Sequence, residues 1–255
     1  MPIRLTVLGK SPSWQDADGA CSGYLVQSGP LALLLDCGSG VFAKLRRYES
    51  YARVDAVVIS HLHADHVLDL VPFAYALTFG EATGRPRPQL HVPPGSRAAL
   101  RQLCGAWGSE TLIEDAFELG EYDPSGTLDV LGVQLRFQLV PHYVASHAVE
   151  TRDGDARLVF SADCGPNDEL ARFARDADLL LIESTLLDDE PIAADAQGGH
   201  LSAAQAGAIG RSAGVGRLVL THFSDQLDAG QLRERAQAAF GGPVELAAEG
   251  ASFTV

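Results

Sequence analysis

Basic side chains are scarce in this sequence. Lys and Arg number 19 against 33 Asp and Glu, a formal net charge of −14. Proteins that grip nucleic acid draw most of their affinity from phosphate neutralisation and carry a basic face. The deficit argues against a large polyanionic substrate and against an anionic membrane. A small anion stays open, because bound metal ions can reverse a local field. Long apolar runs are missing too. No stretch of about 18 apolar residues goes uninterrupted by charge, so no transmembrane helix is expected. The start of the chain, Met1-Pro2-Ile3-Arg4-Leu5-Thr6-Val7-Leu8-Gly9, reads into a strand. It lacks the apolar core and small-residue cleavage site of a signal peptide, and a cytoplasmic location is the expectation. Cysteine is sparse, and Cys21, Cys37, Cys104 and Cys164 show no Cys-x-x-Cys spacing. In a reducing compartment they read as free buried thiols.

Apolar residues make up 46% of the 255 positions, enough for a full core. β-rich runs fall at residues 3–8, 23–26, 31–35, 56–59, 89–92, 133–140, 158–161, 179–182, 218–220 and 244–246. Helical patterns fall at 41–48, 67–79, 96–106, 167–174, 202–213 and 229–240. The first third reads as strands and hairpin turns, and later segments alternate strand and helix. That mixture fits sheets sandwiched together with helices outside, an α/β architecture. No low-complexity tract or linker interrupts it, so one domain over 1–255 is expected. Residues 80–94 hold four prolines and read as an ordered loop with one short strand. Residues 110–132 read as acidic and irregular, a segment that could cover one face of a site.

The densest chemistry is Ser60-His61-Leu62-His63-Ala64-Asp65-His66, placed after the strand Val57-Val58-Ile59 and before a helix starting near Val67. Three imidazoles and a carboxylate in six residues are hard to bury for structural reasons alone. Imidazole nitrogen and carboxylate oxygen are the ligands zinc takes at about 2.0–2.2 Å. Such a turn can aim His61 and His63 at one ion while Asp65 and His66 face another.

This His-x-His-x-Asp-His run after a strand resembles the signature of the metallo-β-lactamase superfamily. The resemblance covers nearly the whole chain and implies a four-layer αββα sandwich. It also implies the remaining ligands, in order. His142 in Val140-Pro141-His142 would complete the first metal set. Asp163 in Phe160-Ser161-Ala162-Asp163-Cys164 would bridge. His222 in Leu218-Val219-Leu220-Thr221-His222-Phe223 would complete the second set. Asp36, in Leu33-Leu34-Leu35-Asp36-Cys37-Gly38, would support the metal loop from behind. One departure stands out: Ala162 occupies a position where relatives often carry glycine. Gly199-His200-Leu201-Ser202 is similar to an element of the ribonuclease Z-like branch whose histidine faces the scissile phosphate. Asp65 and His200 are thus the candidate catalytic residues. Ser202 makes an N-cap for the helix after it. His91 reads as structural. His147 lies on the strand after His142 and could edge the pocket, sit behind the ligands or lie on the surface.

The implied cofactors are two divalent ions, zinc by default with manganese as runner-up. They bring more positive charge than Asp65, Asp163 and one hydroxide remove, and the surplus of about +1 favours an anionic substrate. Within the superfamily, the histidine in the second motif position excludes the iron variant that has glutamate there. No flavodoxin-like domain follows, and no export signal suits a secreted β-lactamase. Between His66 and His142 no long Gly/Lys/Arg-rich insertion could serve as a tRNA-clamping arm. The run Ser22-Gly23-Tyr24-Leu25, the metal motif with Leu68-Asp69-Leu70, and Leu218–His222 look like compact bacterial atypical cyclic-nucleotide phosphodiesterases. The resemblance implies hydrolysis of a 3′,5′-cyclic nucleotide such as cAMP to the 5′-monophosphate. The acidic balance fits a small anionic substrate and argues against a nucleic-acid polymer and a membrane, and the resemblance adds that relatives in this branch are often homodimers. Alternatives on the same site are an arylsulfatase, a lactonase or a tRNA 3′-processing-like nuclease. A metal-binding regulatory protein without turnover is the alternative of another class. Base selection would fall to loops near 11–19 and 110–126, with Trp14, Tyr143 and Trp107 as candidate stacking partners.

Overall fold

In the computed structural model, described over residues 1–188 and 198–255, two seven-stranded sheets pack face to face. Strands and helices are numbered in chain order. The first sheet holds β1 (Arg4–Gly9), β2 (Gly23–Ser28), β3 (Leu31–Leu35), β4 (Ala56–Val58), β5 (Gln89–Val92) and β6 (Glu118–Glu121). The last strand, β14 (Ser252–Thr254), returns to pair with β1. The second sheet holds β7 (Thr127–Val130), β8 (Val133–Val140), β9 (Ser146–Asp153), β10 (Ala156–Phe160), β11 (Leu179–Glu183), β12 (Arg217–Thr221) and β13 (Val244–Leu246). Pairing in the first sheet is antiparallel from β14 to β3 and parallel from β3 to β6. In the second it is antiparallel from β7 to β10 and parallel from β10 to β13.

Helices α1 (Val41–Leu45), α3 (Leu70–Phe79), α4 (Ser96–Gly105) and α5 (Leu112–Ala116) contribute to the core outside the first sheet. Helices α6 (Asp168–Phe173), α7 (Ala203–Ala213) and α8 (Ala229–Phe240) do the same for the second. Central strands therefore bury both faces, which is why they read as unbroken apolar runs. In β3, Leu31, Leu33 and Leu35 enter the core between the sheets, while Ala32 and Leu34 join the helix side. Tyr24 and Phe160 meet in the middle layer with ring centroids 5.0 Å apart. The Tyr24 hydroxyl lies 2.7 Å from Thr221 Oγ1 and ties β2 to β12 across the sandwich. This is the expected four-layer αββα architecture. All four cysteines are buried and free. Among the described residues no helix is long and apolar enough to cross a membrane.

Two expectations need correction. The helix expected over 67–79 is two pieces, α2 (Ala64–Val67) and α3, divided at Leu68 and Asp69. The Asp69 carboxylate accepts the Phe42 backbone N–H at 2.8 Å instead of capping α3, and Pro72 confines the new helix to a fresh first turn. Residues 110–132 are not irregular. They form α5, β6 and β7, and β6 and β7 finish an edge of one sheet each. Edge strands need no continuous apolar run, so Glu118-Leu119-Gly120-Glu121 gave no pattern to read.

Candidate metal centre

The strand ends build the site. The motif loop leaves β4, His142 follows β8, Asp163 follows β10, and His222 follows β12. Asp36, Ala162 and His222 all take left-handed backbone, with φ of 57°, 54° and 55°. That conformation costs an L-residue roughly 1–2 kcal/mol, and strain of this kind clusters at functional sites. It also explains why glycine suits position 162.

The structure brings all the predicted ligands together as two adjoining groups that share one carboxylate. In the first group, His63 Nδ1 lies 3.2 Å from His61 Nε2 and 3.0 Å from His142 Nε2. Asp163 Oδ2 lies 3.8 Å from His61 Nε2 and 3.9 Å from His142 Nε2. In the second, Asp65 Oδ2 is 3.5 Å from His66 Nε2 and 3.2 Å from His222 Nε2. Asp163 Oδ2 is 3.3 Å from both those nitrogens. Ligands held tetrahedrally at about 2.0–2.1 Å stand roughly 3.3 Å from one another. The second group fits that spacing throughout; in the first the imidazole nitrogens fit it, and Asp163 Oδ2 stands wider, at 3.8 and 3.9 Å.

The outer hydrogen bonds point the same way. His66 Nδ1–H donates to Asp36 Oδ2 at 2.7 Å, and His142 Nδ1–H donates to the Gly199 carbonyl at 2.7 Å. His61 Nδ1–H donates to Ser60 Oγ at 3.0 Å, and His222 Nδ1–H to Thr185 Oγ1 at 2.9 Å. Ser60 is fixed in turn: its N–H and hydroxyl donate to the two Asp36 oxygens at 2.7 and 2.8 Å. With each Nδ1 carrying the proton, each opposite Nε2 presents a lone pair inward, the tautomer a metal ligand needs. His66 Nε2 and Asp163 Oδ1 are buried and have no hydrogen-bond partner. Unpaired buried polar atoms are costly, and a cation held in the second group would satisfy His66 Nε2. The residues present therefore fit two divalent ions.

Charge follows burial. Desolvation pushes the His61, His63 and His142 imidazoles down. Burial also opposes charge on His66, but Asp163 and Asp36 overcome it and raise this imidazole strongly. Asp163 is held low by His222 and His66 despite its complete burial.

A third cluster adjoins these groups. His200 Nδ1–H donates to Glu183 Oε1 at 3.0 Å. The Glu183 carboxylate also accepts from Cys164 N, Leu201 N and the Thr185 hydroxyl. Burial works against a charged His200, but the Glu183 hydrogen bond and charge outweigh it and push the imidazole up to about 9. Glu183 is saturated with donors, so this cluster is a hydrogen-bonded holder for His200. Ser60, Thr185 and Glu183 escaped the sequence reading. A carboxylate closing the run Leu179-Leu180-Leu181-Ile182 was the available signal for Glu183.

His147 is buried, not on the surface. Its backbone N–H donates to Ser60 O at 3.2 Å, and its ring meets Tyr122 edge-on at 5.5 Å. His91 lies on β5 with Nε2 3.0 Å from Gln89 Oε1. The loop 11–19 borders the His222 side: Lys10 Nζ donates to Phe223 O at 2.9 Å, and Asp16 Oδ1 accepts from Asp225 N at 2.9 Å. The segment 110–126 lies behind the motif loop, where the Tyr122 hydroxyl donates to Ile59 O at 3.2 Å. Tyr143 sits 5.1 Å from His142 and 5.8 Å from His200, centroid to centroid.

Comparison with known proteins agrees with this geometry. Residues 32–223 match the family model described as a beta-lactamase superfamily domain, so the chain belongs to that superfamily and is one of its metallo-hydrolases. It is 33% identical over 97% of its length to the probable metallo-hydrolase YhfI of Bacillus subtilis, of which 98% is covered. The YhfI crystal structure superposes with a TM-score of 0.89 at 30% identity, covering all of both chains. A ribonuclease Z of Myxococcus xanthus is 32% identical, with 99% of this chain and 97% of the relative covered. Unliganded yeast PDE1 shares the fold, with a TM-score of 0.77 at 13% identity over 99% of each chain.

Proposed function

We propose that residues 1–255 work as one cytoplasmic dimetal hydrolase that cleaves a small phosphodiester, foremost a 3′,5′-cyclic nucleotide such as cAMP, to the 5′-monophosphate. His61, His63 and His142 would hold one ion, Asp65, His66 and His222 the other, and Asp163 both. Zinc is the first choice for imidazole and carboxylate donors in tetrahedral sets. Two such ions would supply a water-derived nucleophile near neutral pH and charge neutralisation at the phosphoryl oxygens. The chain's own residues do the rest. Asp36 and Ser60 hold the ligand imidazoles in orientation. His200, held by Glu183, would donate its proton to the departing alkoxide or bind a non-bridging oxygen.

The observation that carries this reading is the single oxygen, Asp163 Oδ2, common to both ligand groups with His200 beside them. The ribonuclease Z similarity supports phosphodiester chemistry by its name. It also favours a second reading, RNA as substrate. Against RNA stands the net charge of −14. The alignment also spans 305 positions for 255 residues here, so that ribonuclease carries segments without a counterpart in this chain.

The test is turnover of cAMP and bis(p-nitrophenyl) phosphate by metal-loaded protein, with Asp163→Ala as control. Cleavage of both, lost in the control, is the expected result. Cleavage of the activated diester alone would overturn the cyclic nucleotide and keep the chemistry. Cleavage of neither, with two ions bound, would overturn both.

A further inference from the structure

Tyr143 combines features that ordinary packing does not explain. It is 64% exposed although it directly follows a half-buried ligand, His142. Its ring contacts the rings of both His142 and His200. One ring edge rests on Gly199: a Cβ built on that glycine would stand 2.3 Å from Tyr143 Cε2 and Cζ. Gly199 has ordinary backbone, so its missing side chain serves the Tyr143 ring and not a turn. The same residue's carbonyl anchors His142. One glycine thus fixes a ligand and seats an aromatic ring at the rim, and the rest of that ring faces solvent. Val144, the next residue, is 40% exposed and extends the apolar rim.

We propose that Tyr143 is a specificity residue, a stacking platform for a planar ring on the substrate, a nucleobase in the reading above, on which this inference rests. The platform stands beside His200, the side at which the leaving oxygen would take its proton. The leaving 3′-oxygen and the base are carried by the same ribose, which stays bonded to phosphorus through O5′ while the P–O3′ bond breaks, so a base stacked on Tyr143 would hold that 3′-oxygen near His200. Stacking recognises any flat π-face, so this contact selects for a base without choosing among bases.

The test is binding of 5′-AMP and of ribose 5-phosphate to the metal-loaded protein by calorimetry, for wild type, Tyr143→Ala and Tyr143→Phe. Removing a stacked aromatic costs about 1–3 kcal/mol per base, so a loss of about 5- to 150-fold is expected. Wild type should prefer the base-bearing ligand by about that factor. Tyr143→Ala should abolish the preference with ribose 5-phosphate affinity unchanged, and Tyr143→Phe should keep it. A merely structural ring over His142 would weaken both ligands equally in Tyr143→Ala, and that result would overturn the platform. So would a wild type without preference. Intact preference without phosphodiester turnover would sink the proposed reaction and leave the platform standing. Turnover of cAMP with equal binding of the two ligands would do the reverse.

Discussion

His200 is raised to about 9 chiefly because Glu183 outweighs its burial, so below that pH it carries a proton to give. Two dications nearby would oppose that charge and move the titration down. If His200 is the proton donor, kcat/KM falls as pH rises through its pKa. We expect an alkaline limb between about 6.5, the ordinary histidine value, and about 9. Glu183→Gln keeps an acceptor but removes the charge, so the limb should move to lower pH by about one unit or more. A limb that stays put in that variant would remove His200 from the role. Ala162 offers a second residue-scale test. Its φ of 54° disfavours a Cβ, and glycine there would relieve about 1 kcal/mol after its own entropic cost. Thermal melts of Ala162→Gly should rise by about 2–4 °C. A lower melting point would mean that the fully buried methyl packs between the sheets with more benefit than the strain costs.

Among the elements, α7 shows how local rules aim a functional side chain. Ser202 Oγ accepts the Gln205 N–H at 3.1 Å, and Gln205 Oε1 accepts the Ser202 N–H at 2.9 Å, a reciprocal capping box. The box fixes the N-cap of α7 at Ser202, two residues after His200. Ser202→Ala should cost about 1 kcal/mol, a melting point about 2–4 °C lower, with both ions still bound. Unchanged melting would mean the helix start is held from elsewhere. The N-cap was legible because serine ahead of an alanine-rich run has one common use. Strands β3, β5, β8 and β13 and helix α8 lie at the predicted bounds. β3 is buried on both faces, and β5 and β8 alternate buried with more exposed positions. Edge strands β6 and β7 were illegible because half their residues face water. His61, His63, Asp65 and His66 were legible because imidazoles at tight spacing have few other uses, whereas His142, Asp163 and His222, each alone at a strand end, were legible only through the family resemblance. Ser60, Thr185 and Glu183 were not, because a hydroxyl or carboxylate gains meaning only from partners that the fold supplies.

At the scale of the molecule, the two sheets repeat one plan: three antiparallel pairings, then three parallel ones. Equivalent strands β3 and β10 are followed by Asp36-Cys37-Gly38 and Asp163-Cys164-Gly165. The symmetry escaped the linear reading because β14, at the end of the chain, completes the first sheet. The equivalent aspartates have diverged: Asp36 braces Ser60 and His66, while Asp163 joins both ligand groups. His61, His63, Asp65 and His66 come from the first half, and His142, Asp163 and His222 from the second. Bound ions would therefore cross-link the two halves, and they would bind the native chain far better than the unfolded one. Metal at about a hundred times its Kd adds about 2.7 kcal/mol, which for a chain of this size raises the melting point by roughly 5–11 °C. A chelator should reverse that rise. Asp163→Ala, which removes the shared oxygen, should show a much smaller response to zinc. Melting that ignores both zinc and chelator would mean the native fold does not hold the ions, and the clustered imidazoles would then need another explanation.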